Sequence, residues 1–188
     1  RVRGGAFFDA LLAAGVDGGN LHVISHPAAE NFRDWGRHQE YVLKQLAPLP
    51  RPMAVFTGQD NLGASLIEIC ARNGIAVPQE LAVLGVDNIE FLCDCLPIPL
   101  SSIDTAPEDL GYRAAAQLDL LMKGQITNAA PPVLISPRGV QNRRSTDCIA
   151  VSHPAVVQAM DFMRERSAES ITVTDIGRHV GMSKRGIE

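Results

Sequence analysis

Residues 53–88 read MAVFTGQDNLGASLIEICARNGIAVPQELAVLGVDN, and this stretch decides the fold. MAVFT (53–57) is a short apolar run rich in strand formers. Asp60 then opens a segment with Leu62, Leu66, Ile69 and Cys70 at helical spacing, which Asn73-Gly74 closes. LAVLGV (81–86) is a second strand. Its apolar residues are continuous rather than alternating, so it is buried on both faces. Strand, helix and strand in this order make a parallel pair with a crossover helix.

Outward from this unit the alternation continues. Residues 3–14 read as a helix with Phe7, Phe8, Leu11 and Leu12 on one side and Gly15 as the stop. LHVIS (21–25) reads as a strand. Residues 31–46 return to helical spacing through Trp35, Val42 and Leu46. On the other side, Pro97 and Pro99 break a loop. Pro107-Glu108-Asp109 starts a helix carrying Leu110, Ala114, Leu118 and Leu121 to Gly124, and PVLIS (132–136) reads as a late strand. The fold class is α/β: a parallel sheet with helices on both faces, followed by an incomplete all-α unit.

Residues 137–152 mix Arg, Ser and Asn and read as a linker, with 147–152 lying past the α/β unit. From Pro154 a helix packs Val156, Val157, Met160 and Met163. The tail TVTDIGRHVGMSKRGIE (172–188) reads as the front of a helix-turn-helix. Thr172 or Thr174 caps a first helix with Val173, Ile176 and Val180, Gly181 makes the turn, and Ser183 caps a second helix at Lys184. Two ordinary packed helices with a glycine turn are the alternative. If the unit is a helix-turn-helix, Ser183, Lys184 and Arg185 are its DNA-facing residues, and Arg178, Lys184 and Arg185 form a local basic cluster.

The 188 residues are 46% hydrophobic and 20% charged, which suits globular material and rules out a chain of low-complexity type. A net charge of −4 is not that of a basic nucleic-acid-binding chain as a whole, so any DNA contact is local. No apolar run reaches membrane-span length, so no membrane partner is expected. Cys70, Cys93, Cys95 and Cys148 lack the spacing of a zinc site or disulfide scaffold and read as reduced thiols of a cytoplasmic protein. Cys93 and Cys95, flanking Asp94, leave a soft-metal reading open; no metal or cofactor is otherwise expected.

In an open parallel sheet, ligands sit at the carboxyl ends of the strands. The residues there are His26 and Trp35, then Gln59, Asp60 and Asn61, then Asp87 and Asn88. Carboxylates and amides take paired hydroxyls, and an aromatic face covers the C–H side of a sugar ring. Each has a plainer role too. Asp60 caps a helix or contacts ligand, Asp87-Asn88 is a turn or a site, Trp35 is core or cover, and Arg3 is solvated or faces the cleft. Chemistry on the ligand is not expected. Ser25-His26 lacks a nucleophile elbow, TGQDNLGAS lacks the Gly-Lys-Ser of a phosphate loop, and the five histidines show no metal spacing.

These residues carry a family likeness. The stretch 57–88 ending in GVDN, followed by LPIPLSSIDTAPEDLGYRAA (96–115) and closed by RRST (143–146), resembles the effector-binding core of LacI/GalR-type regulators and periplasmic sugar-binding proteins. The residues from Arg143 to Ser183 resemble the junction in AraC/XylS-type activators that carry such a module in front of their DNA-binding domain. The likeness implies a sugar-sensing transcription regulator of a pentose such as D-xylose, bound by Arg3, Trp35, Gln59 or Asp60, and Asp87. Promoter DNA would be contacted by the full-length protein, working as a homodimer.

It also implies the boundaries: a partial effector domain over 1–146 without its N-terminal lobe, a linker over 147–152, and a truncated DNA-binding domain over 153–188. A chain opening at Arg1 inside a helix fits an excised piece. The alternative is a periplasmic sugar-binding protein of a transport system, which would need a signal peptide and no helix-turn-helix.

Overall fold

The computed structural model describes residues 2–25, 35–127, 131–148, 154–182 and 186. The chain divides into two compact units, Arg1–Cys148 and Ile149–Glu188.

In the first unit the elements are α1 (Val2–Ala13), α2 (Trp35–Leu46), β1 (Met53–Phe56), α3 (Asp60–Arg72), β2 (Leu81–Val86), α4 (Glu90–Cys95), β3 (Ser101–Asp104), α5 (Pro107–Met122) and β4 (Gly139–Gln141). They build a four-stranded sheet in the order β1-β2-β3-β4. β1, β2 and β3 are parallel, with Val55 opposite Val83 and Gly85 opposite Ser102; β4 is antiparallel to β3. The core lies between β2 and the helices beside it, where Leu46, Leu66, Ile67, Cys70, Leu81, Val83, Cys93 and Leu100 are buried. Leu81 and Val83, on one face of β2, are fully buried, whereas Ala82 and Leu84 on the other face are only half-buried, so the unbroken apolar run reflects one buried face and one partly covered one.

Three sequence expectations are corrected. LHVIS forms no strand: Leu21 is extended, but the segment has no ladder partner among the described residues, and Val23 is 76% exposed. PVLIS likewise forms no strand, and Leu134 is 90% exposed. Apolar β-formers alone do not make a strand; a neighbour must satisfy the backbone. Conversely, the half-polar segment Ser101–Asp104 is an interior strand, and Glu90–Cys95 is a helix.

The third correction concerns residues 139–146, which are no linker. Gly139–Gln141 extends the sheet, and Ser145 is fully buried. The Ser145 hydroxyl donates to Val83 O at 2.6 Å and accepts from Ser101 N at 2.8 Å. Between these tied segments α5 stands apart. It carries no buried residue, and its apolar Leu110, Tyr112, Leu118 and Met122 are exposed.

The second unit holds α6 (Pro154–Glu165) and α7 (Val173–Val180). Of the expected valines and methionines, Val157 and Met160 are half-buried, and the buried residue of α6 is Phe162. Its ring stacks on His179 with centroids 4.4 Å apart, while Val156 and Met163 are exposed. Thr172 caps α7 in a reciprocal box: its hydroxyl oxygen accepts from Asp175 N, and the Asp175 carboxylate accepts from Thr172 N at 3.1 Å. Gly181 ends α7 at φ 69°, a left-handed value that glycine adopts without steric cost.

The box has a pH consequence. The Thr172 hydroxyl and then its amide hold the Asp175 carboxyl below its ordinary value of 3.8. A carboxyl lowered on folding stabilises the folded form above its unfolded value, and that support is lost as pH falls through the folded one. An NMR titration should therefore place the Asp175 midpoint below 3.8, and Thr172→Val should raise it towards 3.8. An unmoved midpoint would mean that the box does not hold in solution.

Candidate functional site

The carboxyl ends of β1 and β2 meet the first helix. Arg3, near the start of α1, donates from Nη1 to Gly58 O at 2.8 Å, just past β1. Its Nη2 lies 2.9 Å from Asp87 Oδ1 and its Nη1 lies 3.3 Å from Oδ2, just past β2. One turn further along α1, Phe7 stacks on Phe56 at the end of β1, with centroids 4.2 Å apart and planes 15° from parallel. The edge thus presents a forked ion pair beside an aromatic pair.

This ion pair does little for stability. The Arg3 and Asp87 side chains are 49% and 31% exposed, and pairs so open to water contribute at most about 1 kcal/mol. What it offers is a set of donors and acceptors held together at the carboxyl edge of the sheet. A guanidinium and a carboxylate side by side can serve two neighbouring hydroxyls of a polyol.

The backbone beneath it is strained. Asp87 has φ 107° and Asn88 φ 51°, two successive non-glycine residues in the left-handed region. The surroundings hold them there. Asp87 N donates to Ile103 O at 3.0 Å, and Asn88 N donates to Ser102 Oγ at 3.1 Å. Strain maintained by its neighbours at a sheet's carboxyl edge marks a functional turn more specifically than the residue types do.

Asp60 departs from the ligand role. It is the first residue of α3 rather than its cap, and it is fully buried. One carboxylate oxygen accepts from Ser102 Oγ at 2.5 Å; the other accepts from Ile89 N at 2.8 Å and from Cys93 Sγ at 3.5 Å. The carboxylate points into the sheet because three donors converge there, and Gly85 leaves it room. A Cβ on Gly85 would sit 2.3 Å from Asp60 Oδ1. Gln59, the residue before, is exposed at the head of α3 beside Gly58, with no capping bond from its side chain.

Trp35 is also not brought to the Arg3–Asp87 pair. Its ring lies 5.9 Å from the guanidinium of Arg72, in the last turn of α3, and 5.8 Å from the His38 ring. Gly58 and Gln59 precede the first turn of that helix, about 18 Å away along its axis. The aromatic rings beside the pair are those of Phe7 and Phe56. The signal for this lay in the sequence, since Phe7 follows Arg3 by one helical turn. His26, Ser183, Lys184 and Arg185 lie outside the described residues.

Cys93 and Cys95 do not form a pair. Cys93 is buried with its thiol on Asp60, while Cys95 is exposed. Burial, and then the adjoining Asp60 carboxylate, push the Cys93 thiol up to about 12; burial lifts Cys70 to about 11. Thiols so raised carry almost no thiolate at pH 8. Ellman's reagent at that pH should label Cys95 quickly and reach Cys70 and Cys93 only when the protein unfolds. Rapid native labelling of either would contradict the packing around α3 and α4. Among the described residues no three His, Cys, Asp or Glu side chains are grouped to hold a metal, and no helix is long and apolar enough to cross a membrane.

Residues 1–146 match the family of periplasmic binding protein-like domains. The xylose operon regulatory protein of Haemophilus influenzae is 33% identical over 156 residues, which is 83% of this chain and 40% of that protein. Its counterpart in Escherichia coli K12 is 30% identical over 181 residues, 96% of this chain and 45% of that protein. The chain therefore spans less than half the length of these relatives. Among solved structures, that of a xylose-binding transcription activator, XylR, superposes with a TM-score of 0.62 at 29% identity, covering 83% of this chain and 41% of that one.

Proposed function

Because this chain belongs to the periplasmic binding protein-like domain family, we propose that its α/β unit is one lobe of a sugar sensor in a transcription regulator. The effector is a small sugar, D-xylose or another pentose, and the lobe binds it without chemistry. The observation that carries this reading is the Arg3–Asp87 pair, forked against Gly58 O at the carboxyl edge of β1 and β2. Gln59 and the Phe7–Phe56 pair complete that wall. Neither Asp60 nor Trp35 is part of it.

A second lobe forms the other wall. The bare apolar face of α5, with Tyr112 and Met122 each 80% exposed, is suited to packing against it. Likeness to xylose operon regulatory proteins runs through both units, over 181 residues. That extent supports reading α7 and the residues after it as the start of an AraC-type helix-turn-helix, with Ser183, Lys184 and Arg185 towards DNA. In this reading the full-length protein works in the cytoplasm as a dimer. Sugar closes the lobes and favours the arrangement that fits two half-sites.

Calorimetry on the full-length protein tests the sensor. Saturable heat with D-xylose or a related pentose, and none with an unrelated polyol such as mannitol, is the expected result. The absence of heat with every pentose would remove the sugar assignment.

A further inference from the structure

The Asp87-Asn88 turn is held from behind by a residue far along the chain. Arg143 follows β4, its side chain is only 14% exposed, and it makes three side-chain contacts. Nη1 donates to Asn88 Oδ1 at 3.0 Å and to Leu100 O at 3.1 Å, and Nε donates to Asp94 Oδ1 at 2.5 Å. Its backbone is fixed as well. Arg143 N donates to Ser101 Oγ at 2.8 Å, and that hydroxyl donates to Arg143 O at 2.9 Å. One guanidinium therefore ties the strained turn to α4 and to the approach of β3.

The position in the chain matters as much as the contacts. Arg143 lies two residues before the buried Ser145, on the segment by which the chain leaves the first unit at Cys148. Asn88, itself at φ 51°, is the immediate neighbour of Asp87, so a bond to its side chain also bears on how Asp87 is held at φ 107°.

The geometry points to Arg143 as a positioning residue for the effector site. It holds the Asp87-Asn88 turn in its ligand-ready form and couples that turn to the exit segment. This rests on the sugar-sensor reading for its ligand, but not for its effect on the turn. A planar fork matters here because one nitrogen serves two acceptors while another serves a carboxylate. A lysine would keep the charge near Asp94 and lose the simultaneous grip on Asn88 and Leu100 O.

The test is hydrogen exchange and calorimetry on the full-length protein and its Arg143→Gln and Arg143→Lys variants. In Arg143→Gln the amides of Asp87 and Asn88 should exchange at least about tenfold faster, with Val83 and Leu84 in β2 unchanged. D-xylose affinity should fall about tenfold, and Arg143→Lys should lie between the two for both readouts. Unchanged turn amides would overturn the proposal whatever the sugar data. So would uniformly faster exchange across β2 and β3, which would make Arg143 a general stitch. Local loosening with unaltered sugar affinity would overturn it too. If the unmodified protein bound no pentose, the sensor reading would fail, and exchange at the turn would still decide what Arg143 does there.

Discussion

Asp60→Ala should lower the stability of the α/β unit by about 3–5 kcal/mol, the largest effect expected of any substitution considered. The carboxylate is fully buried and accepts from three groups on two segments, Ile89 and Cys93 of α4 with its cap and Ser102 of β3. Truncation leaves the Ile89 amide and the Ser102 hydroxyl without their acceptor, at about 1–3 kcal/mol each, and opens a cavity besides. For a unit of this size the melting temperature should drop by roughly 10 °C. Gly85→Ala attacks the same network from the sheet, since its Cβ would sit 2.3 Å from Asp60 Oδ1. The two changes should be strongly non-additive, with Gly85→Ala costing less once Asp60 is alanine. Additive losses in denaturant melts would mean that Gly85 is needed for another reason.

Asp87→Asn in the full-length protein should weaken D-xylose binding by about 1.5–3 kcal/mol, or roughly 10- to 150-fold. Asparagine is chosen because it tolerates the left-handed backbone that alanine does not. Stability should hardly change, since the Arg3–Asp87 pair is largely open to water. The contrast with Asp60 is the point. In the proposed function, two carboxylates at the carboxyl ends of neighbouring strands divide the work, one holding the sheet together and the other facing the ligand. An Asp87→Asn protein with unaltered affinity would take Asp87 out of the site.

Much of this was legible in the sequence. The unbroken apolar run Leu81–Val86, the helix closed by Asn73-Gly74 and the polar pair behind the strand named the sheet and the edge proposed to take the ligand. Asp87 was singled out because it directly follows a buried strand. Arg3 was named with it, and the structure joins the two across 84 residues.

What was not legible depended on partners distant in sequence. A carboxylate at a helix start looks the same whether it faces water or the sheet. Asp60 turns inward because Ser102, 42 residues on, and Ile89, 29 residues on, supply donors there. Ser101–Asp104 carries no strand signal in its own residues; Ser145, Arg143 and Asp60 satisfy its serines from afar. LHVIS and PVLIS show the reverse: good β-formers with no ladder to join among the described residues. Trp35 followed from its place after a supposed strand and from the family likeness, and its helix places it by Arg72.

The central claim is that sugar bound at Asp87 controls DNA binding by the complete protein. Fluorescence anisotropy with a labelled promoter fragment from pentose-use genes, at one fixed salt concentration, measures it directly. D-xylose should change the affinity of the full-length protein for that fragment at least about fivefold, as expected for coupling of 1 kcal/mol or more. Asp87→Asn should abolish the change at the same sugar concentration. Full-length protein that binds no promoter DNA, or binds it equally with and without every pentose, would contradict the account.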